Sequence, residues 1–322
     1  MNEAENLDKY SLEELSSELR FRSRKNKSEK KGVLGKKIAL STAKEHAIHE
    51  ALLEKQRVIY GTDDRRDFHE INDPEVLENV KSVVALFEKN QVRDMGDGTS
   101  EISVQKFGDA FDLCVGEKFR EQPIGAFCSG FLVAADIICT AGHCATDIQR
   151  VRDTRFVFGF RMNSPGQATT RINNSEIYSG ESLIGRELTD DGADWALVKL
   201  DRPVENAKIV TIRKEGKIDD ESGVYVIGHP CGLPLKQAGN AVVRSNSRET
   251  HMVCNLDTYG GNSGSPVFNN NTHVAEGILV RGETDFVTIG NCDVSNICPS
   301  TGCRGEDVTR TTVFAHLLDP ED

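Results

Sequence analysis

The chain has 322 residues, which is enough for one large domain or two small ones. Its hydrophobic fraction of 38% supports a packed core, and its formal net charge of −12 argues against general nucleic-acid binding, which favours basic surfaces. No run of about 18 apolar residues is present, so the sequence predicts no membrane-spanning helix. We therefore expect neither a nucleic-acid nor a membrane partner.

The first 57 residues differ from the rest of the chain. Ser11-Leu-Glu-Glu is a capping box that opens a short amphipathic helix, a basic stretch follows from Arg20 to Lys37, and a second helical stretch is predicted from there to Lys55. This segment carries 13 Lys and Arg against 10 Asp and Glu, so a leader of charge +3 precedes a body of charge −15. The asymmetry predicts a regulatory arm that docks on the body or binds a partner, or else a solvated, partly disordered extension.

Two features of the sequence point to different compartments. The N-terminal residues Met1 to Lys9 contain no apolar segment of the kind found in secretory signal peptides, which favours the cytoplasm. Nine cysteines favour an oxidising compartment, and their odd number leaves at least one thiol unpaired or intermolecular. We expect a cytoplasmic protein, with secretion as the alternative.

From Val58 onward the chain reads as short β-type runs separated by Gly, Asn and Asp turns, which predicts a sandwich or a barrel. The clearest runs begin at Val83, Phe131, Arg155, Ala196, Gly223 and Gly277. A short terminal helix is predicted near Thr312 to Leu318. The domain prediction is a leader at 1–57 and an all-β domain at 58–322.

Three segments carry residues suited to nucleophilic catalysis. Tyr259-Gly-Gly-Asn-Ser263-Gly-Ser-Pro-Val-Phe268 holds one serine in a Gly-rich turn, and glycines allow a backbone to direct its N–H groups inward. An apolar run from Cys128 leads into Thr-Ala-Gly-His143-Cys144. Between them, Asp194 precedes the apolar run Trp-Ala-Leu-Val. A hydroxyl, an imidazole and a carboxylate together form a nucleophile, a base and an orienting acid.

The order His, Asp, Ser and the amino-acid sequences of these three blocks resemble those of the trypsin/chymotrypsin superfamily. Asn262 and Ser265 resemble its glutamyl-endopeptidase branch, and the resemblance covers roughly residues 58 to 316. It implies a chymotrypsin-like double six-stranded β-barrel with the site in the cleft between barrels. It also implies a serine endopeptidase that works through an acyl-enzyme on protein or peptide substrates, with no cofactor and no metal.

The resemblance assigns a role to each residue. His143 is expected to be the general base, Asp194 its orienting acid and Ser263 the nucleophile, with the N–H groups of Gly261 and Ser263 as the oxyanion hole. Asp191 competes with Asp194 for the second role. A rival hypothesis from another class is a catalytically silent protease-fold module that binds partners through residues 1–57.

The cysteines leave several pairings open. Cys128 and Cys144 flank the His block and resemble the disulfide of animal trypsins. Cys231 with Cys254 is a candidate second bridge. Cys292, Cys298 and Cys303 cluster in a Gly- and Asn-rich loop, where zinc is an alternative to disulfides although the spacing is not a CxxC pair.

Substrate specificity is predicted from the expected S1 subsite, which holds the P1 residue on the N-terminal side of the cleaved bond. The resemblance places Asp257 at its floor, followed by Thr258, and Val280, Arg281 and Gly282 are the other predicted substrate-binding residues. An acidic floor implies Arg or Lys at P1 by charge pairing. The alternative is an acidic P1: Thr258 resembles glutamyl endopeptidases, and Arg281 and Arg310 could supply positive charge, but Leu279 stands where their pocket histidine is expected.

A processing site is predicted where the leader meets the body. Many mature chains of the superfamily begin with Val or Ile, and Val58 follows Arg57 here. Asp64-Arg65 resembles a pair found near the mature start of glutamyl endopeptidases. Cleavage after Arg57 would agree with a basic P1 and would permit self-processing. Asn262 is uncharged, so the trypsin ion pair between the new amine and an Asp before the nucleophile cannot form.

Overall fold

The computed structural model describes residues 59–189, 192–281, 286–299 and 302–318. The predicted helical leader at 1–57, the processing residues Arg57 and Val58, and Asp191 and Gly282 lie outside the described residues.

The described residues form mainly short β-strands. In chain order these are β1 (Ile59–Tyr60), β2 (Arg66–Asp67), β3 (Val83–Glu88), β4 (Val92–Asp94), β5 (Thr99–Ile102), β6 (Gln105–Lys106), β7 (Pro123–Ile124), β8 (Cys128–Ala134), β9 (Ile137–Thr140), β10 (Thr154–Phe158), β11 (Met162–Ser164), β12 (Gln167–Ala168), β13 (Arg171–Asn173), β14 (Ile177–Leu188), β15 (Asp194–Leu200), β16 (Gly223–Gly228), β17 (Lys236–Ser245), β18 (His251–Cys254), β19 (Pro266–Asn269), β20 (Ala275–Arg281), β21 (Phe286–Ile289), β22 (Cys292–Ser295), β23 (Ile297–Cys298) and β24 (Glu306–Arg310).

Helices are few and short. The α-helices of the described residues are α1 (Pro74–Val80), α2 (Phe107–Ala110) and α3 (Ile148–Arg152). The 3₁₀ helices are Phe68–Glu70, Lys89–Gln91, Asn174–Glu176, Pro230–Gly232, Thr311–Val313 and Ala315–Leu318. None of the helices in the described ranges is long and apolar enough to cross a membrane.

The predicted C-terminal helix is present as two 3₁₀ turns rather than one α-helix. The first turn is Thr-Thr-Val, and β-branched residues lose side-chain freedom in an α-helix. Phe314, between the turns, is fully buried with its ring centroid 5.5 Å from that of Trp195. The chain end is therefore held by packing.

The first barrel closes through the strand order β10-β14-β15-β9-β8-β3. Its interior is filled by large side chains such as Phe131, Phe156 and Leu197. β-Branched and aromatic residues favour the pleated, half-buried surface of a strand, which explains why the runs at Val83 and Arg155 fold as β3 and β10. Closure removes the exposed edges that an open sheet would leave.

The second barrel contains β16-β19-β20-β24-β18-β17, closed by pairing between β16 and β17, and β2 extends it beside β17. Its core is formed by Val226, Met252, Val267 and Val308 among others. The predicted double six-stranded barrel is thus confirmed.

Two compact units are distinguished by their internal contacts. The larger comprises the described parts of Asp63–Phe107, Glu121–Glu283 and Arg304–Asp322, and both barrels lie in it. The smaller comprises the described parts of Met1–Thr62, Gly108–Arg120 and Thr284–Cys303.

The smaller unit is built around two disulfides. Its strands pair as β1 with β23 and β21 with β22. The bridges are Cys114–Cys292, which spans 178 positions, and Cys298–Cys303. Cys292, Cys298 and Cys303 are therefore committed to disulfides, which argues against the zinc alternative for this cluster.

Candidate active site

His143 is delivered by a close approach of two strands. It follows β9 and the pair Ala141-Gly142, and its side chain is 38% exposed. A Cβ at Gly142 would lie 2.3 Å from the carbonyl oxygen of Glu187 and 3.1 Å from Oδ1 of Asp194. Only glycine allows the His143 backbone to approach Asp194 so closely.

Asp194 opens β15 with its carboxylate buried, 1% exposed. Its Oδ2 lies 2.8 Å from His143 Nδ1, and its Oδ1 accepts the His143 backbone N–H at 3.1 Å. Burial of a carboxylate is costly unless hydrogen bonds replace its water, and these two contacts do so. Because an ionised carboxylate can only accept, Nδ1 carries the proton and Nε2 is left with its lone pair.

Thr309 of β24 supports Asp194 from the second barrel. The Asp194 backbone N–H donates to Thr309 Oγ1 at 3.2 Å, and that hydroxyl donates to the carbonyl oxygen of Gly192 at 3.2 Å. Thr309 is fully buried. Sequence reasoning missed this residue, because a threonine in a β-type run is ordinary.

The turn that carries Ser263 depends on glycine at two positions. Gly261 has φ 83° and Gly264 has φ 91°, in the left-handed region that favours glycine. A Cβ at Gly264 would lie 2.0 Å from the Ser129 carbonyl oxygen and 2.4 Å from Thr140 Oγ1. The turn is therefore fixed against the first barrel.

Ser129 ties this turn to the His block. Its backbone N–H donates to the Ser263 carbonyl oxygen at 2.9 Å, and its hydroxyl donates to the Gly261 carbonyl oxygen at 3.1 Å. The Ser263 carbonyl oxygen also lies 3.8 Å from Sγ of Cys144, the residue after His143. The structure thus brings Ser263 into the neighbourhood of His143 and Asp194. Sequence reasoning missed Ser129, which follows Cys128 without a distinctive pattern.

The N–H groups of Gly261 and Ser263 are the two predicted oxyanion-hole donors. Across the described ranges, the backbone N–H groups of Gly261 and Ser263 donate to no backbone or side-chain acceptor. Asn262 between them is buried, and its Oδ1 accepts the Ser265 hydroxyl at 3.3 Å. Two such N–H groups beside a hydroxyl can stabilise a developing oxyanion.

His229 supports the same region without sharing its chemistry. It is buried, its ring stacks on Phe160 at 5.9 Å, and its Nδ1 lies 3.0 Å from the Leu233 carbonyl oxygen. Burial lowers the pKa of His229 to about 3, so the ring is neutral. Its backbone N–H donates to the Ser129 hydroxyl at 2.9 Å.

The expected disulfide between Cys128 and Cys144 is present. Sγ atoms of these two cysteines and a ring nitrogen of His143 lie within 4.8 Å of one another, a spacing that would suit a metal. Oxidation to a disulfide removes both thiolates, which leaves the imidazole alone. The candidate bridge between Cys231 and Cys254 is absent, because Cys254 is a free buried thiol whose pKa burial raises to about 12.

Asp257 and Thr258, predicted at the S1 floor, follow β18 and are buried. The Asp64 backbone N–H donates to Asp257 Oδ2 at 3.1 Å, and the Thr258 hydroxyl donates to Glu306 Oε2 at 2.9 Å. Glu306 was not predicted. Burial raises the pKa of Asp64, whose side chain contacts that of Asp257.

The other residues predicted to bind the substrate or to supply positive charge lie in β20 and β24. Val280 is buried at the end of β20, and Arg281 closes the same strand. Arg310 is buried, and its guanidinium donates to the carbonyl oxygens of Asn246, Arg248 and His251.

Arg65 contacts the segment before Ser263. Its guanidinium lies 3.9 Å from the centre of the Tyr259 ring and donates to Tyr259 Oη at 2.9 Å. It also binds Asp63 through two hydrogen bonds, at 2.9 and 2.7 Å. The backbone carbonyl oxygen of Tyr259 accepts the Asn262 backbone N–H at 3.1 Å.

Three solved structures are similar to this chain. A Vibrio cholerae VesB protease is 16% identical with a TM-score of 0.48, over 79% of this chain and 67% of that one. A Glu endopeptidase in complex with MPD is 14% identical with a TM-score of 0.47, over 81% and 97%. Human heparin binding protein is 13% identical with a TM-score of 0.49, over 79% and 93%.

Among curated protein sequences, no relative matches this chain. The sequence of residues 128–278, a segment that includes His143, Asp194 and Ser263, matches the trypsin-like peptidase domain. This part of the chain is therefore a trypsin-like peptidase domain.

Proposed function

We propose that this chain is a serine endopeptidase that hydrolyses peptide bonds after Arg or Lys. The observation that carries the proposal is the contact of His143 Nδ1 with the buried Asp194 carboxylate at 2.8 Å. This contact directs the free Nε2 lone pair away from Asp194, as a general base requires.

The reaction proceeds in two steps. Nε2 of His143 takes the Ser263 hydroxyl proton while Oγ attacks the peptide carbonyl carbon, and the carbonyl oxygen gains negative charge. The N–H groups of Gly261 and Ser263 stabilise that charge, and Asp194 stabilises the imidazolium. His143 then protonates the leaving amine, and the acyl-enzyme remains on Ser263. Water, deprotonated by His143, attacks the ester and regenerates the serine hydroxyl.

The preference for basic P1 residues is supported by the buried carboxylate of Asp257 in the segment six residues before Ser263. A buried carboxylate favours a cationic partner. The acidic-P1 alternative draws on Thr258, Asn262 and Ser265, but the donors of Arg310 are already bound to backbone carbonyl oxygens.

A P1 profile on a peptide library tests this function, with Ser263→Ala as the control that defines background. Cleavage after Arg and Lys that disappears in Ser263→Ala is the expected result. Cleavage after Glu would support the acidic-P1 alternative. Absence of any cleavage, with partner binding through residues 1–57, would support the silent-module alternative.

A further inference from the structure

We infer that Glu306 is a second acidic specificity residue, which together with Asp257 binds the guanidinium of a P1 arginine and makes the enzyme prefer Arg over Lys. This inference rests on the proposed function and specifies which of its two basic substrates fits the site.

Glu306 stands between the segment predicted to form the S1 floor and the segment that carries the other predicted S1 residues. It is the first residue of β24, which lies between β18 and β20 in the second barrel. On one side Glu306 pairs with Cys254, three residues before Asp257. On the other side the next residue, Asp307, pairs with Arg281 at the end of β20. The register therefore directs the start of β24 to the S1 region.

The Glu306 carboxyl group is connected to the predicted floor by one hydrogen bond. The Thr258 hydroxyl donates to its Oε2 at 2.9 Å, and Thr258 follows Asp257 directly. Glu306 is 2% exposed and Asp257 is 4% exposed. Glu306 thus contacts the residue next to Asp257. Desolvation disfavours a negative charge at each of these buried carboxyl groups, and a bound cation would offset that cost.

Part of the Asp257 carboxyl group is engaged by Asp64. Its Oδ2 accepts the Asp64 backbone N–H at 3.1 Å, and its side chain also contacts the Asp64 side chain. A P1 cation that met Asp257 alone would therefore meet a carboxylate whose acceptor capacity is partly used. Glu306 supplies the second carboxylate that a large cation needs.

The geometry of two carboxylates distinguishes the two basic side chains. A guanidinium is planar and carries five N–H donors in a rigid fork, so it can bind two carboxylates at once. A lysine ammonium is a compact point charge with three rotatable donors, so it does not match two carboxylates with the same fixed geometry. Two carboxylates also repel an acidic P1 side chain, so this arrangement opposes the glutamyl alternative.

The test compares peptides that differ only at P1, carrying Arg, Lys or citrulline, the uncharged isostere of Arg. Glu306→Gln keeps an acceptor for the Thr258 hydroxyl and removes the charge. We expect kcat/KM for the Arg peptide to fall about 10- to 100-fold. The ratio of kcat/KM for the Arg peptide to that for the Lys peptide should approach one, and kcat/KM for the citrulline peptide should stay unchanged. The matched control is Asp307→Asn, which removes the adjacent acid on β24, one that pairs with Arg304. It should leave the profile unchanged.

Labelling of Ser263 by a fluorophosphonate, which carries no P1 side chain, separates this inference from the proposed function. Normal labelling of Glu306→Gln with an unchanged P1 profile would overturn the inference and leave the peptidase intact. If Glu306→Gln fails to fold, Asp257→Asn decides instead: a retained preference for Arg over citrulline supports Glu306, and equal rates refute it. Absence of labelling in the unaltered protein would refute the proposed function itself.

Discussion

The carboxylate of Asp194 accepts two hydrogen bonds from a single residue, His143: one from the backbone N–H at 3.1 Å and one from the imidazole at 2.8 Å. The first fixes the chain and the second fixes the ring. Gly142 makes both contacts compatible, because any Cβ there would collide with Glu187 and crowd Asp194.

The charge of Asp194 is predicted to be essential for turnover. In Asp194→Asn the side-chain amide can donate to Nδ1, which stabilises the wrong imidazole tautomer and leaves Nε2 protonated. We expect kcat to fall by about 10⁴ with little change in stability. Asp201→Asn, which removes an exposed acid paired with Arg202, is the control and should leave kcat unaltered. Equal kcat values for the two variants would contradict the role given to Asp194.

The absence of a side chain at Gly264 is predicted to stabilise the fold. Gly264→Ala places a methyl group 2.0 Å from the Ser129 carbonyl oxygen, so either the turn or β8 must move. Gly159→Ala is the matched control, since Gly159 also has a positive φ, 80°, but no atom within 4 Å of an added Cβ. Both lose about 1–2 kcal/mol from backbone strain. Gly264→Ala should lose about 1–3 kcal/mol more. Identical urea midpoints would contradict the packing.

Acid stability is predicted to depend on His229. Its folded-state pKa of about 3 lies below the ordinary histidine value of 6.5, so the unfolded chain binds more protons between these two pH values. Its contribution is complete above pH 6.5 and is lost as the pH falls towards 3. Between about pH 6.5 and about pH 4.5, His229 should lower the free energy of unfolding by roughly 2–3 kcal/mol.

His229→Asn removes the titration and keeps an N–H donor for the Leu233 carbonyl oxygen. Urea unfolding is measured at both pH values. The free energy of unfolding should fall less between them for His229→Asn than for the unaltered protein. His316→Asn, which changes an exposed histidine, should lose as much as the unaltered protein. A loss in His229→Asn as large as that of the unaltered protein would contradict a neutral, buried His229.

The leader is predicted to restrain the enzyme until the bond after Arg57 is cut. The freed Val58 amine cannot pair with Asn262 as in trypsins, but it could dock near the substrate site. Arg57→Gln should block self-processing and keep the protein inactive, with Met1 as its first residue by N-terminal sequencing. Full activity from intact Arg57→Gln protein would instead identify residues 1–57 as a partner-binding arm.

The local features of the fold could be predicted from sequence. Runs such as Val83-Val-Ala-Leu-Phe became strands because β-branched and aromatic residues between turn signals favour strands regardless of distant partners. The contact between His143 and Asp194 was expected from the order and the amino-acid sequences of the segments that carry them. The strand signal lies within a few consecutive residues, and the second expectation came from the order of short recognisable blocks along the chain.

Features that depend on distant pairings could not be predicted. The Cys114–Cys292 bridge joins residues 178 positions apart. The candidate pair of Cys231 with Cys254 is absent, and Cys254 is a free thiol in the core of the second barrel. Glu306 meets Thr258 only because β24 pairs with β18. Such contacts follow from sheet register, which no local pattern specifies.

Active-site labelling tests most directly whether this chain is a serine endopeptidase. A fluorophosphonate should form one covalent adduct, located on Ser263 by peptide mass spectrometry. His143→Ala should reduce the labelling rate at least 100-fold, because the hydroxyl then lacks its base. Ser263→Ala should abolish the adduct while circular dichroism stays unchanged. An adduct on another residue, or labelling that persists in Ser263→Ala, would contradict the proposed mechanism.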